Sequence, residues 1–235
     1  MPHCPNPATI VYFNMRDFMS IQTATQQKKL AASSLNHGHI LRQGVTFEEF
    51  LHWDGENQHV EWVDGNVIDI GAVNIYHQQT CGFLRSLLYI YVQQRQCGRI
   101  LGRPFIMKPG TTLPGRAPDI IFIETARLDR IHEYYLEGPA DLAIEVVSPD
   151  HPKRDYVQKL AEYERGGVLE YWIIDPEEER ATFYRLINGK YRGEPLAADG
   201  SYHSLAVPQF WLRPAWLWQQ PLPNMIDILR EWMLI

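Results

Sequence analysis

Two stretches decide how this chain folds: Ala117-Pro118-Asp119-Ile120-Ile121-Phe122-Ile123, and Asp141-Leu142-Ala143-Ile144-Glu145-Val146-Val147-Ser148-Pro149. Both are apolar runs of strand length, rich in β-branched residues and ended by turn formers. In the second, alternation places Leu142, Ile144 and Val146 on one face, and Ala143, Glu145 and Val147 on the other. Glu145 therefore shares a face with apolar neighbours. An edge strand with Glu145 in solvent is the simple alternative, but the unbroken apolar character favours a central strand. Asp119 follows Pro118 at the start of the other run. Pro-Asp pairs are common in turns, so Asp119 taken alone reads equally well as structural.

Working outward, Thr46-Phe47-Glu48-Glu49-Phe50-Leu51 carries a capping box, Thr46 with Glu49, that opens a short helix. Val60 to Val63 and Asn66 to Ile70 flank Asp64-Gly65, a strong hairpin signal. Between Asn74 and Gln94, residues Tyr76, Thr80, Phe83, Leu84, Leu87, Leu88 and Tyr91 recur at helical spacing, and Gly98 is the expected stop. Arg99 to Met107 reads as a strand and is followed by a Pro/Gly-rich loop. A charged loop with some helical character spans 125 to 139. After a break at 149 to 152, Lys153 to Arg165 reads as a helix with Val157, Leu160, Ala161 and Glu164 on one face. Glu170 to Asp175 is a strand, Asn188-Gly189 centres a hairpin, and Met225 to Met233 form a last helix. The central order of helix, three strands, helix and strand, with hairpins on both sides, predicts one mixed α/β sheet.

The chain has 235 residues, 45% of them hydrophobic, enough for one domain of ordinary size. Residues 1–44 are polar and weakly periodic, and are expected to form a mobile N-terminal extension; Met15 and Met19 are alternative starts. His37-Gly38-His39 reads more readily as an incidental pair than as a metal site. Residues 45–220 hold the folded domain, and 221–235 a C-terminal helix. The Trp-rich segment 210–218 is expected to close the sheet or pack a dimer. A net charge of −6 argues against tight non-specific binding of nucleic acid, while leaving room for a local basic cleft. Three widely spaced cysteines, Cys4, Cys81 and Cys97, exclude a disulfide framework or zinc ribbon. Cys81 and Cys97 read as small core residues. No apolar run reaches the length of a membrane span, and no signal peptide is recognisable. A cytoplasmic protein with no membrane partner is expected.

An ionised carboxylate inside a sheet is costly unless paired. Two of them, Asp119 and Glu145, from separate strands suggest a shared cation. Hard divalent cations prefer oxygen donors, and Mg²⁺ typically takes one or two carboxylates, leaving its other positions to water and substrate phosphate. That points to metal-dependent chemistry on a phosphodiester.

Pro118-Asp119, Glu145 in an apolar strand and a following lysine together resemble the PD-(D/E)XK nuclease superfamily. More narrowly, the chain is similar to the bacterial Uma-type restriction endonuclease family. The matching pieces are Thr46 to Phe50, Glu61-x-x-Asp64-Gly65, His77 opening the long helix, Pro118-Asp119, Glu145 to Pro149, Asp155-x-x-x-Lys159-x-x-x-Tyr163 and Gly167 to Pro176. They cover about residues 45 to 218; each is weak alone, and their order and spacing are specific. The resemblance implies a restriction endonuclease-like core and an Mg²⁺-dependent DNA endonuclease, with Mn²⁺ as a second metal candidate. It assigns Asp119, Glu145 and Lys159 as catalytic, and Asp119, Glu145 and Glu61 as metal ligands. His77 is an accessory residue, DNA the substrate, and a homodimer the expected assembly. The chain departs from the superfamily pattern at Val147, where a lysine would stand; the narrower family carries its lysine on the following helix, as Lys159 does here. Lys153 is a second candidate. Lys159 also reads as a surface cation paired with Asp155 at i,i+4. Beside the endonuclease stand a catalytically inactive nuclease-fold binding or regulatory protein, favoured by Val147 and the acidic charge, and a hydrolase of another phosphate ester.

Overall fold

Residues 38–148 and 153–235 are described by a computed structural model. The pair Asp64-Gly65 turns the chain between β2 (Val60–Val63) and β3 (Asn66–Asp69), with both turn residues at positive φ as a tight hairpin requires. A further strand, β1 (Ile40–Gln43), pairs antiparallel with β3 and so reaches into the stretch expected to be an extension. The capping box forms as expected: Glu49 N–H donates to Thr46 Oγ1 at 3.2 Å, and Thr46 N–H to Glu49 Oε2 at 2.8 Å, opening α1 (Phe47–Leu51).

The long helix α2 (Ile75–Arg95) starts on Asn74, whose Oδ1 accepts the His77 N–H at 2.9 Å. Thr80, Phe83, Leu84, Leu87, Leu88 and Tyr91 are buried on one face as their spacing predicts, whereas Tyr76 is exposed. The stop falls two residues before the expected Gly98, because Gln96 adopts the left-handed cap. Gly98 instead opens β4 (Gly98–Leu101), and a Cβ there would lie 2.2 Å from the Ile123 carbonyl oxygen of the adjacent strand. It is needed for close approach rather than for capping.

The principal sheet has six strands in the order β11-β10-β9-β8-β6-β4. These include β6 (Ile120–Glu124), β8 (Leu142–Val146), β9 (Glu170–Asp175), β10 (Arg180–Ile187) and β11 (Lys190–Glu194). Only the β8–β9 pair is parallel. β8 lies in the middle and all five of its residues are buried, so Glu145 stands on a central strand. The expected strand from Arg99 to Met107 is two strands in different sheets. β5 (Ile106–Lys108) pairs parallel with β7 (Tyr135–Glu137), a strand within the stretch expected to be a charged loop. Residues 102 to 105 break the run, with Pro104 unable to donate to a ladder.

Helix α2 covers one face of the sheet: Leu84, Leu87, Leu88 and Tyr91 pack on Ile120, Phe122, Leu142, Ile144 and Val146. The C-terminal segment joins that layer, with Phe210 and Trp232 against Tyr91 and Trp216 against Trp232. The Trp-rich stretch thus closes the sheet within the chain. The other face, which carries Ile121, Ala143 and Tyr171, meets Tyr163. Before α3 (Leu160–Gly166), residues Arg154–Lys159 form a widened π-helical turn. The face predicted to be apolar here is not the buried one: Val157 is exposed, and Arg154, Asp155, Lys159 and Tyr163 point inward. Tyr163 and Leu160 join the apolar layer on this face of the sheet, while Asp155 and Lys159 enter a charged cluster. A short helix α4 (Met225–Glu231) follows near the C-terminus.

One buried carboxylate fastens the C-terminal segment to β9. Glu170 accepts hydrogen bonds from Trp172 Nε1 and Tyr202 OH at 2.7 Å, Ser204 Oγ at 3.0 Å, and the Leu205 and Ala206 amides at 2.8 and 2.7 Å. Glu170→Ala leaves these donors unpaired and is expected to cost about 3–5 kcal/mol. Urea denaturation measures this, and a loss below about 1 kcal/mol would show that the segment is held mainly by its aromatic packing.

Candidate active site

Asp119 and Glu145 meet because β6 and β8 are paired antiparallel with Ile120 opposite Ile144. Asp119 precedes β6, and its Oδ2 accepts the Val146 amide at 2.8 Å, which fixes it against the neighbouring strand. Glu145 is fully buried, and its Oε1 accepts the Tyr163 hydroxyl at 2.7 Å. Among the described residues its Oε2 accepts no hydrogen bond, yet the Lys159 ammonium lies 2.8 Å away. Lys159 is itself fully buried. It also approaches Glu61 Oε1 at 3.3 Å and Asp155 Oδ1 at 3.5 Å. The i,i+4 pair with Asp155 therefore exists, but inside the molecule.

The structure also brings Glu61 and His77 here. Glu61, from β2, is fully buried; its Oε2 accepts Arg116 NH1 at 2.8 Å and its Oε1 the Ala117 amide at 3.2 Å. Both oxygens thus already have protein partners, one cationic on each side. Arg116 continues to Glu162 on α3 through two bonds of 2.7 Å. His77 Nε2 stands 3.3 Å from Asp119 Oδ2, and its Nδ1 has no partner among the described residues. Lys153 is exposed. His37 lies outside the described residues, and the backbone oxygen of His39 accepts the Asp69 amide at 2.9 Å.

Sequence reasoning missed Arg103 and Arg116. Arg103 comes from the break between β4 and β5. Its Nε lies 3.1 Å from Asp119 Oδ1 and its NH2 3.7 Å from Glu145 Oε2. Its position in Gly102-Arg103-Pro104 carries no periodic signal. Arg116 was detectable in principle, as a cation two residues before Pro118 in a run about to enter the core, where it would need a carboxylate.

The charges set the protonation of the cluster. Burial acts to raise the Asp119 pKa, but Arg103, His77 and Lys159 outweigh it and hold the group at about 2. Burial likewise opposes ionisation of Glu61, and Lys159 and Arg116 overcome it, so this carboxyl stays well below the usual range. Glu145 goes the other way. Burial, with Asp119 and Asp155 nearby, exceeds the pull of Lys159 and Arg103 and pushes it up to about 7. Burial works against a charge on Lys159, but Glu145, Glu61 and Asp155 keep its pKa above the ordinary lysine value. Cys81, beside Asp119 at the cleft, is pushed up to about 12 by burial and by that carboxylate, so it is an inert thiol.

Asp119 forms the floor of a cleft of about 580 Å³ lined by His59, His77, Gln78, Arg85 and Arg103. Among the described residues no group of three or more His, Cys, Asp or Glu side chains has metal-ligand spacing. Asp119 Oδ1 and Glu145 Oε2 are nonetheless hard oxygens that no backbone donor caps, and both already face a positive group. That donor chemistry suits a cation bound by two carboxylates rather than by a complete protein cage.

Comparison with known proteins agrees with this architecture. Residues 47–215 match the model of the Uma2 family, described as putative restriction endonucleases, and the chain belongs to that family. The crystal structure of a putative nuclease belonging to DUF820 from Anabaena variabilis superposes with a TM-score of 0.59 at 20% identity. The alignment covers 74% of this chain and 97% of that one. This likeness shows the shared fold. No match was found among curated proteins.

An acid whose folded pKa exceeds its unfolded value favours the folded state while it holds its proton. The Glu145 contribution is therefore complete below about 4.5, falls as the pH rises through about 7, and is constant above. Glu145→Gln mimics the protonated form. Its stability relative to the wild type is expected to rise by on the order of 3 kcal/mol between pH 4.5 and 8. Urea denaturation at the two pH values tests this, and a constant difference would mean that Glu145 is ionised throughout.

Proposed function

We propose that this protein is a metal-dependent endonuclease that hydrolyses DNA phosphodiester bonds, with Asp119, Glu145 and Lys159 as its catalytic residues. The observation that carries the reading is the convergence of Asp119, just before β6, with the fully buried Glu145 and Lys159 of β8 and the π-helical turn; of the three, Asp119 lines a cleft together with arginine and histidine. Family membership supports the same class of reaction. Asp119 and Glu145 would hold the divalent cation, Mg²⁺ or Mn²⁺. When bound, such an ion polarises a phosphoryl oxygen and acidifies a water molecule.

The chain's own residues supply the rest. Lys159 faces three carboxylates and keeps its proton, so it acts as a fixed positive charge beside the reacting phosphate, not as a general base. Glu61, tied to Arg116 and Lys159, positions that ammonium; in this reading it holds the lysine and contributes to the cation site only indirectly. His77 orients Asp119 through Oδ2, and Oδ1 faces Arg103. Arg85 and Arg103 give an acidic chain a local positive surface for the phosphate backbone. A homodimer would pair two such sites across a two-fold axis. A cytoplasmic location suits Cys81 and Cys97, both free thiols. No described helix is long and apolar enough to cross a membrane.

A second reading is an inactive nuclease-fold binding protein. Arg103, lying between the two carboxylates, favours it, since a guanidinium there lowers the need for a metal. Nicking of supercoiled plasmid with Mg²⁺ or Mn²⁺ separates the two. The wild type is expected to nick. Asp119→Ala, Glu145→Ala and Lys159→Ala should each lose about 100-fold or more. Nicking that persists in all three variants would identify a contaminant. No nicking by the folded wild type would give the binding protein, or hydrolysis of another phosphate ester, precedence.

A further inference from the structure

Arg103 is held unusually well for a residue in a break between strands. Gly102 lets the chain pass directly over Asp119: a Cβ on it would lie 2.2 Å from the Asp119 carbonyl oxygen, so only glycine fits. The Arg103 amide donates to the Pro118 carbonyl at 3.1 Å. Its Nε donates to the Ala117 carbonyl at 3.0 Å and also faces Asp119 Oδ1 at 3.1 Å. Three successive residues, 117 to 119, thus fix one arginine. The two terminal nitrogens are treated differently. Neither makes a hydrogen bond among the described residues; NH2 comes only within 3.7 Å of Glu145 Oε2, and the side chain lines the cleft with Arg85 and His77. A purely structural counter-ion would turn this fork onto a carboxylate, where paired bonds are strongest. Here Nε is spent on anchoring, while the end of the fork is left at the cleft floor beside both proposed catalytic carboxylates.

We propose that Arg103 is a substrate-binding residue of this site, taking a phosphate oxygen of the DNA backbone on its terminal nitrogens while Nε keeps it locked to the Asp119 segment. The inference rests on the nuclease reading above. A guanidinium fits two phosphate oxygens in a plane, and anchoring it beforehand reduces the entropy lost on binding. Its charge is shared with Asp119 and Glu145 in the free protein. A cation taken up by those carboxylates leaves the guanidinium available to the phosphate.

The test is binding of a short fluorescent DNA duplex by the full chain in Ca²⁺, followed by anisotropy across a salt series. Each phosphate contact adds about 0.9 to the slope of log affinity against log salt. Arg103→Gln is expected to weaken binding about ten- to hundredfold and to lower the slope by about one. Arg103→Lys serves if the glutamine variant does not fold. It keeps a cation beside the carboxylates but cannot hold the Ala117 carbonyl and a phosphate together, and should lose at least about fivefold. Wild-type affinity and slope in a folded Arg103 variant would overturn the proposal, leaving Arg103 as a counter-ion and the nuclease reading intact. A wild type that binds no duplex would overturn both.

Discussion

The fully buried ammonium of Lys159 is the interaction on which the rest of the centre depends. A lysine inside a protein is tolerable only where carboxylates compensate for its lost hydration, and here three do: Glu145, Glu61 and Asp155. Each comes from a different element, β8, β2 and the π-helical turn. The lysine therefore ties the principal sheet, the N-terminal hairpin and the helix after β8 to one point. Arg116 repeats this on the outer side, linking Glu61 to Glu162 on α3. The hairpin is also held by the backbone bridge between Trp62 and Gly115 and by an apolar group in which Val60 and Val67 meet Ile106 and Ala117, so the charged cluster is one of three tethers.

Stability does not account for such an arrangement. Buried ion pairs repay their desolvation poorly, and apolar residues of similar volume at these positions would serve a sheet equally well or better. The uneven protonation gives a further indication. Asp119 and Glu61 are driven strongly toward ionisation while Glu145, between them, is driven the other way. Neighbouring groups with pKa values pushed apart mark sites where charge has chemical work to perform.

The sequence made the scaffold legible where local chemistry and tertiary packing agree. The capping box at Thr46, the Asp64-Gly65 hairpin, the alternation around Glu145 and the stripe from Thr80 to Tyr91 all form as read, because each is set by neighbours within a few residues. The failures have a common physical cause. Gly98 and the run from Arg99 to Met107 were read by local rules, but their outcome is decided by close approach to β6 and by pairing with β7, contacts between residues distant in the chain. The face of the helix after β8 was mistaken for a similar reason. A hydrophobic stripe was expected, and the structure buries Asp155 and Lys159 because part of the partner surface is charged, with Tyr163 beside them in the apolar layer. The spacing marked Asp155 and Lys159 as an i,i+4 pair on the surface, and only the family pattern drew the three residues toward a site.

The widened turn at Arg154–Lys159 shows how the displaced lysine still reaches the centre. In the superfamily pattern the lysine would stand two residues after Glu145, on the same face of the strand; here Val147 takes that place in the apolar layer with Tyr163 and Tyr171. A lysine from a helix must instead approach from above the sheet. A turn of π type holds more residues than an α turn, and such turns recur at functional sites. Here Asp155, Lys159 and Tyr163 all point inward, and Tyr163 and Lys159 meet the two oxygens of the same Glu145 carboxylate. The helix thereby replaces one strand residue with a two-residue grip on Glu145, Lys159 and Tyr163, while Asp155 holds the lysine. An ammonium can leave the strand and keep its place because what is fixed in space is the position of its charge, not the path of the chain that carries it.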